Sequence, residues 1–444
     1  MSLASVIADY QAKTPRSRAL FEEAQRVLPG GNTRTTIFFD PYPFYAVRGA
    51  GPRIWDADGH ERLDFNGNYT SLVLGHAPPA VVAVVRELAD RGLSFPGPSE
   101  HELRLAEALT RRVPSCEQVR FTNSGTEATM LAIRGARAFT GRPKIAKFEG
   151  SYHGTHDWVQ VSITPPPDGA GSRRRPKPVA AGAGVPPAVL KSVAVLPWNE
   201  PDTAIRAIEK QAPDLACVIC EPVQGAAGVI PPAEGFLQAL REVTARHGIV
   251  LIFDEVITFR LGPGGAQALL GVTPDLTTFG KIIGGGLAVG AFGGRREIMA
   301  VFDPRGGKPK VAQGGTFNAN PLTMAAGLAT LEALTADVYA HLDRLGEALR
   351  EKVRALFRAC RLRAQVTGVG SLFCLHWTSK PVVDFRSSRP TDPERPLRTY
   401  VGLLNEGVLL SQRGMGAVSV PMGDAEVDRF VDALSRVLDA EARP

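Results

Sequence analysis

Two charged residues stand at positions suited to chemistry within the stretch from 249 to 286. Asp254 directly follows the apolar run 249–253, whose β-branched composition is typical of a buried parallel strand. Ligands of open α/β sheets bind outside the carboxyl ends of the strands, so Asp254 is predicted to lie at the mouth of a site. Lys281 follows a second strand-like run and precedes the glycines at 284–286, which let backbone or ligand approach the amine.

A possible anion-binding turn lies upstream, at residues 119–127. A strand is predicted to end there and a helix to run from Gly125 to about residue 139. Ser124 and Glu127 have the S-x-x-E spacing of a capping box, which marks the helix start. A helix N-terminus offers free N–H groups and a partial positive charge, and Ser124 and Thr126 add hydroxyl donors. An ordinary capped helix has the same pattern, so the turn alone leaves both interpretations open.

The three parts together resemble the class III aminotransferases, which are pyridoxal-phosphate (PLP) enzymes of fold type I. The motifs that carry the resemblance occur in the family's order and span nearly the whole chain. They are NSGTEA at 123–128, YHG at 152–154, EPVQG at 221–225, DEV at 254–256, GK at 280–281 and GGTFNANP at 314–321. One such motif would be weak evidence, whereas six in register are strong evidence.

The resemblance implies a role for each matching residue. Lys281 would condense with the cofactor aldehyde and later move the substrate proton, and Asp254 would keep the pyridine nitrogen protonated. The phosphate would be anchored by Ser124, Gly125 and Thr126. The remaining cofactor contacts implied are Tyr152 and Val256 on the two ring faces, Gln224 at the ring oxygen, Glu221, and Thr316, which reaches the phosphate of a neighbouring subunit. Thr316 therefore implies a homodimer with shared active sites.

Two arginines are the candidate substrate-binding residues, Arg34 and Arg413, because a guanidinium binds a carboxylate in a bidentate fork. Within the family, the chain resembles both the β-amino acid aminotransferases and the glutamate-1-semialdehyde aminomutases. The segment 411–414, Ser-Gln-Arg-Gly, is similar to the S-P-R-G of the former, with Gln in place of Pro. The aminomutases have a glutamate in the corresponding loop, and residues 409–421 contain none.

These features favour transfer from an aromatic β-amino acid to 2-oxoglutarate or pyruvate. The aminomutase is the alternative, and an amino-acid racemase on the same fold stays open. Gly280-Lys281 does not belong to a P-loop, because the required glycine position is Asp275 and the position after the lysine is Ile282.

Length, composition, net charge and cysteine count limit the classes of protein to which the chain could belong. The chain has 444 residues, 44% of them hydrophobic, and a net charge of +6, which is too small to indicate nucleic-acid or membrane binding. Five scattered cysteines predict no disulfide framework. Cys217 and Cys220 look like half a metal site, but an offset of three on a strand sends them to opposite faces, so no metal is expected. No signal peptide or membrane span is recognised, which favours a cytoplasmic protein.

The pattern of elements predicts an α/β fold with a mostly parallel, doubly wound sheet. The predicted large, PLP-binding domain is 66–328, and 1–65 and 329–444 would form a smaller α+β domain from both termini. Within the first 35 residues the pattern suggests a helix and then a turn at Pro29-Gly30-Gly31, and 364–376 and 407–410 suggest strands. Residues 165–187 form a long loop without periodicity, which could act as a lid.

Overall fold

A computed structural model of the chain describes residues 2–442. The α-helical segments within that range are α1 (Leu3–Lys13), α2 (Pro15–Ala24), α3 (Gly67–Thr70), α4 (Pro79–Ala89), α5 (Glu100–Arg112), α6 (Gly125–Thr140), α7 (Pro187–Leu190), α8 (Pro201–Gln211), α9 (Phe236–Arg246), α10 (Gly265–Leu269), α11 (Arg296–Met299), α12 (Pro321–Ala333), α13 (Ala336–Ala359), α14 (Arg395–Asn405) and α15 (Asp424–Ala442). The strands are β1 (Ala46–Ala50), β2 (Arg53–Asp56), β3 (Glu61–Asp64), β4 (Gln118–Thr122), β5 (Lys144–Phe148), β6 (Gly171–Ser172), β7 (Arg175–Pro176), β8 (Val193–Leu196), β9 (Leu215–Cys220), β10 (Val250–Asp254), β11 (Leu276–Gly280), β12 (Gly290–Gly294), β13 (Gln365–Val369), β14 (Leu372–His376), β15 (Val408–Leu409) and β16 (Met415–Ala417).

The described chain divides into two compact units. The central unit contains residues 79–339 and 382–388, and the terminal unit contains 2–78, 340–381 and 389–442. Helix α13 crosses the boundary after residue 339, and the short segment 382–388 returns the chain to the central unit. The chain therefore passes between the units four times.

The central unit is built on a seven-stranded sheet in the order β4-β12-β11-β10-β9-β5-β8. Six strands run in one direction, and β12 runs against its neighbours β11 and β4. The prediction of a mostly parallel sheet is confirmed. Strand β12 departs from the alternating pattern because only residues 281–289 separate it from β11, too few for a parallel crossover.

Two apolar layers cover the faces of this sheet. Helix α6 contributes to one cluster of buried residues, and α8 and α9 contribute to the other. Cys217 belongs to the first cluster and Cys220 to the second, so the prediction that these cysteines face opposite sides of a strand is confirmed. The doubly wound arrangement leaves the carboxyl ends of the strands free to carry polar residues.

The terminal unit contains a four-stranded sheet, β1-β2-β3-β15, and a three-stranded sheet, β13-β14-β16. The single helix predicted before the turn at residues 29–31 is wrong, because Pro15 has no N–H for a continuing helix and instead begins α2. The strand predicted for 364–376 is a hairpin that turns at Gly370, whose φ is +53°. Strand β15 keeps only two of the predicted residues, and β16 was not predicted.

The segment 165–187 is not wholly irregular as predicted. It contains the small hairpin β6–β7, and Arg386 anchors that hairpin by donating to the Gly171 carbonyl oxygen over 2.7 Å. Arg386 also makes an ion pair with Glu149, just beyond β5, at 2.7 Å. Within residues 2–442, helices with the length and apolarity required to cross a bilayer are absent.

Candidate active site

The N-terminus of α6 forms the capped turn that the sequence pattern offered as a possible anion site. Ser124 is the N-cap, and its Oγ accepts the Glu127 N–H at 3.2 Å, while Glu127 accepts the Asn123 N–H at 2.7 Å. The predicted helix start at Ser124 is therefore confirmed, while the return bond of Glu127 goes to Asn123, one residue before the N-cap. Thr126 Oγ1 accepts the Thr155 N–H at 3.2 Å. Because both hydroxyl oxygens act as acceptors, their protons stay available, with the first N–H groups of the helix, for a bound anion.

Close backbone approaches pack the neighbouring segments against this turn. Gly154 has a φ of +102°, and a Cβ there would lie 2.6 Å from Thr126 Oγ1. Added Cβ atoms at Gly125 and Gly280 would lie 3.2 and 3.3 Å from the methyl groups of Val256. Val256 therefore lies between the anion-binding turn and the strand that leads to Lys281.

Asp254 is the last residue of β10 and is almost fully buried. One carboxylate oxygen accepts the Val256 N–H and the Thr278 hydroxyl, each at 3.1 Å. The other lies 2.7 Å from His153 Nδ1. These three contacts fix the carboxylate at the carboxyl edge of the sheet.

His153 is a site residue that the sequence argument missed. The YHG motif contains it, but its contact with Asp254 joins segments 101 residues apart in the sequence. Burial lowers the pKa of His153, although the Asp254 carboxylate opposes the shift. The neutral ring donates from Nδ1 to Asp254, and its buried Nε2 has no partner among the described residues.

Lys281 lies directly after β11, the strand that pairs with β10, and Thr278 on β11 is aligned with Asp254. Its φ of +51° is left-handed, a strained conformation that L residues adopt mainly where the surroundings or function demand it. Burial lowers the pKa of Lys281, while the Asp254 and Glu221 carboxylates oppose the shift. A larger neutral fraction makes the amine a better nucleophile and base.

Glu221 follows β9 and is buried beside the same cluster. Its carboxylate accepts the N–H groups of Tyr152, Gly225 and Ala226 at 3.1–3.2 Å. Burial, with the Asp254 charge, raises the pKa of Glu221 from 4.5 to about 7. Glu221 therefore joins the Tyr152 segment to the turn that follows β9.

We expect Glu221 to make cofactor-free protein less stable as the pH rises. Its pKa is raised in the folded state, so its favourable contribution is complete below pH 4.5 and is lost as the pH passes through about 7. The stability of the parent relative to Glu221→Gln should therefore fall between pH 5 and 8, by on the order of 1–3 kcal/mol. Urea unfolding of both proteins at the two pH values measures this change. Parallel pH profiles would contradict it, since Lys281 and Lys147, whose pKa values burial lowers, are present in both proteins.

Gln224 and Tyr152 are two of the residues predicted to contact a cofactor ring. The Gln224 amide donates to the Glu149 carbonyl and to Ser151 Oγ, both at 2.9 Å, and leaves Oε1 buried without a partner in the described chain. Since Oε1 can only accept, a hydrogen bond between Gln224 and the hydroxyl group of a cofactor ring would need that hydroxyl group to be protonated. Tyr152 is 42% exposed, so its ring is not a core aromatic.

A buried lysine supports the segment that carries Tyr152 and His153. Lys147 on β5 is fully buried and donates to the carbonyl oxygens of Ser151 and Val161 at 2.9 and 2.5 Å. Burial lowers its pKa to about 7. No sequence pattern indicated this role, because a single lysine in an apolar strand has many explanations.

Thr316 lies on an exposed loop of the central unit rather than among the buried residues. Gln313 donates to the Phe121 carbonyl oxygen at 2.8 Å, and Asn318 accepts from Asn123 at 2.8 Å. Both anchors adjoin the anion-binding turn. The neighbouring Phe317 is 60% exposed, which is unusual for a large apolar side chain held on a tethered loop.

Arg34 and Arg413 both belong to the terminal unit, and both are exposed in the single chain. Arg34 donates from Nη1 to Asn68 Oδ1 at 2.8 Å, and its guanidinium lies 5.6 Å from the Tyr69 ring centroid. Arg413 lies in a tight turn in which Gly414 N–H donates to the Ser411 carbonyl oxygen at 2.9 Å. The other predicted site residues belong to the central unit, and the terminal unit carries the two arginines.

The polar groups of the central unit fit a phosphorylated pyridine aldehyde. The helix N-terminus suits the phosphate, the buried Asp254 carboxylate suits a protonated ring nitrogen, and the partly buried Lys281 amine suits the aldehyde. The unpartnered Gln224 Oε1 offers one further polar contact. Within the described residues, no cluster of three or more His, Cys, Asp or Glu side chains is arranged to hold a metal ion.

Comparisons with known proteins agree with this chemistry. The family model for class III aminotransferases matches residues 39–438. A glutamate-1-semialdehyde 2,1-aminomutase of Methanothermobacter thermautotrophicus is 43% identical over 95% of this chain and 99% of that protein. A β-phenylalanine transaminase of Variovorax paradoxus is 42% identical over 98% and 95%. The crystal structure of an ω-transaminase from Sphaerobacter thermophilus superposes with a TM-score of 0.92 at 50% identity, covering 96% of this chain and 98% of that one.

Proposed function

This chain belongs to the class III aminotransferases, and from that premise we propose that it moves an amino group from an aromatic β-amino acid to a 2-oxo acid. The donor would be of the β-phenylalanine type, and the acceptor would be 2-oxoglutarate or pyruvate. The relatives divide between transaminase and aminomutase at nearly equal identity, so identity does not choose between them.

The protein is a PLP-dependent enzyme, as the family requires. When bound, PLP supplies an aldehyde that takes up the amino group and a cationic ring that withdraws electrons from the substrate carbon. Lys281 would accept the proton from that carbon and return it to the cofactor side. Asp254 would hold the proton at the ring nitrogen, and His153 would hold Asp254.

The other residues would bind and orient. Ser124, Gly125 and Thr126 would hold the phosphate by hydroxyl and N–H donors. Tyr152 and Val256 would enclose the ring, Gln224 would contact its ring oxygen, and Glu221 would fix the backbone around Tyr152.

The observation that carries the transaminase proposal is the paired placement of Arg34 and Arg413 in the terminal unit. A reaction between two separate acids needs carboxylate sites for donor and acceptor, and a guanidinium provides such a site. Arg34 is held by Asn68, and the turn of Arg413 is hydrogen-bonded to the segment that follows Arg34. The absence of glutamate from residues 409–421 also disfavours the aminomutase.

The direct test supplies holoenzyme with β-phenylalanine and 2-oxoglutarate in one assay and with glutamate 1-semialdehyde alone in another. The proposal expects glutamate and the β-keto acid in the first assay. Turnover of the semialdehyde alone, without reaction in the first assay, would replace it with the aminomutase alternative.

We also propose a homodimer in which Thr316 reaches the cofactor phosphate of the neighbouring subunit. The tethered loop and its exposed Phe317 support this, because a partner surface would bury the apolar ring. Asn320, at the end of the loop, donates to the carbonyl oxygen of Leu93, a second exposed apolar residue.

Thr316→Val should weaken cofactor retention by about tenfold, since it removes one hydrogen bond to a charged group. Spectroscopic titration of cofactor-free protein with PLP measures the dissociation constant. Thr273→Val, an exposed threonine of the same unit, is the matched control and should bind PLP as the parent does. Equal affinities in all three proteins would count against the shared site.

A further inference from the structure

Two segments of the terminal unit, one carrying Tyr69 and the other carrying Gln412, bond to the backbone at residues 36–38. The hydroxyl of Tyr69 donates to the Thr36 carbonyl oxygen. The side-chain amide of Gln412 donates to the same oxygen at 3.3 Å and to the Phe38 carbonyl oxygen at 2.8 Å. Arg34 precedes this backbone by two residues, and Arg413 directly follows Gln412.

Tyr69 reaches this backbone from a left-handed turn. All four residues of α3 have positive φ: Gly67 at +52°, Asn68 at +49°, Tyr69 at +55° and Thr70 at +74°. Three of them are not glycine, so the turn is strained and must be held by its surroundings. Asn66 Oδ1 accepts the Tyr69 N–H at 2.5 Å, and Asp64 Oδ1 accepts the Gly67 N–H at 2.8 Å.

The strained turn acts on Arg34 through two side chains. Asn68 Oδ1 accepts from the Arg34 guanidinium, and the Tyr69 ring lies beneath that guanidinium. Burial raises the pKa of Tyr69, while Arg34 and Arg413 both oppose the shift. Both guanidinium groups are therefore close enough to act on one phenol.

Gln412 performs the corresponding task for Arg413. Its side-chain amide donates hydrogen bonds to two carbonyl oxygens of the 36–38 segment. These bonds attach the turn 411–414 to the backbone that follows Arg34. A proline at this position has no side-chain amide and makes neither bond. Without the attachment, two like charges would also be free to move apart.

We propose that Gln412 is a specificity-determining positioning residue, which fixes the separation of the Arg34 and Arg413 guanidinium groups so that the pair selects a dicarboxylic over a monocarboxylic 2-oxo acid. This inference rests on the proposed transaminase function. A dicarboxylic acid binds both guanidinium groups only when the distance between them matches its length. A monocarboxylic acid binds one guanidinium group whatever that distance is.

The test compares Gln412→Met with Gln365→Met. Gln365 is a matched control in the same unit, since its amide also bridges two carbonyl oxygens, those of Thr378 and Lys380, at 3.0 and 2.5 Å. The pyridoxamine form of each holoenzyme is mixed with 2-oxoglutarate or pyruvate, and the half-reaction is followed by absorbance. No β-amino acid is needed in this measurement.

The parent should prefer 2-oxoglutarate, and Gln412→Met should lower that preference about tenfold, through a higher concentration for half-maximal rate and little change in maximal rate. Gln365→Met should retain the parental preference. Gln412→Pro, a second variant that lacks the amide, should behave as Gln412→Met does.

The inference is overturned by equal preference in parent and Gln412 variants, by equal losses in the Gln412 and Gln365 variants, or by a parent that favours pyruvate. A parent that reacts with neither 2-oxo acid would instead remove the proposed transaminase function. The two failures are therefore distinguishable.

Discussion

Lys281→Ala should lose transaminase turnover by at least about a thousandfold, because the variant lacks the amine that binds the cofactor aldehyde and carries the substrate proton. The variant should also lack the visible absorbance of lysine-bound cofactor, while still binding PLP through the anion-binding turn. Methylamine added to the variant should restore part of the rate, since a free amine can carry the proton.

The control for this experiment is Lys191→Ala, which removes an exposed lysine after α7 in the same unit. Its turnover and absorbance should equal those of the parent. Retention of both signals in Lys281→Ala would end the assignment of Lys281, and loss of both in Lys191→Ala would show that the assay reports on something other than the site.

Asp254→Asn should reduce kcat/KM by roughly a hundredfold to a thousandfold with little change in fold. Asparagine has the same shape and keeps an oxygen for the Val256 N–H and the Thr278 hydroxyl. The neutral His153 ring can meet the new amide through its other tautomer. What the variant loses is the negative charge that stabilises a protonated ring nitrogen, and preorganised charge of this kind has a large effect on rate.

Asp275→Asn is the matched control for Asp254→Asn. Asp275 is also a buried carboxylate of the central sheet, but it precedes β11 at the opposite edge and pairs with Arg241 and Arg295. This control should lower the stability of the protein and leave kcat/KM per folded enzyme unchanged. Comparable loss of kcat/KM in both variants would mean that Asp254 acts only through folding.

Local sequence patterns predicted those parts of the site in which a residue type or spacing has one clear structural meaning. Ser124 and Glu127 predicted a helix start because a capping box satisfies specific N–H groups. Asp254 was predicted at a strand end because it directly follows the apolar run 249–253. The two cysteines of β9 were assigned to opposite faces because a strand repeats every two residues.

Contacts between distant segments were not predictable in this way. His153 meets Asp254 across 101 positions of sequence, and Gln412 meets Phe38 across 374. The left-handed turn at Asn68 and Tyr69 has no glycine signal beyond Gly67. The antiparallel direction of β12 follows from the short connection 281–289 that precedes it, and predicting the strands one by one does not consider the length of such connections.

The ion pair between Arg386 and Glu149 can form only late in translation, because its two partners lie far apart in the sequence. Glu149 leaves the ribosome long before Arg386, and residues 340–381, which belong to the other unit, are synthesised between them. A nascent chain therefore carries the β6–β7 hairpin without its guanidinium anchor until translation has passed residue 386. A fragment that stops at residue 339 would lack the anchor permanently. The central unit is therefore not encoded by one uninterrupted stretch of the gene, because residues 382–388 also belong to it.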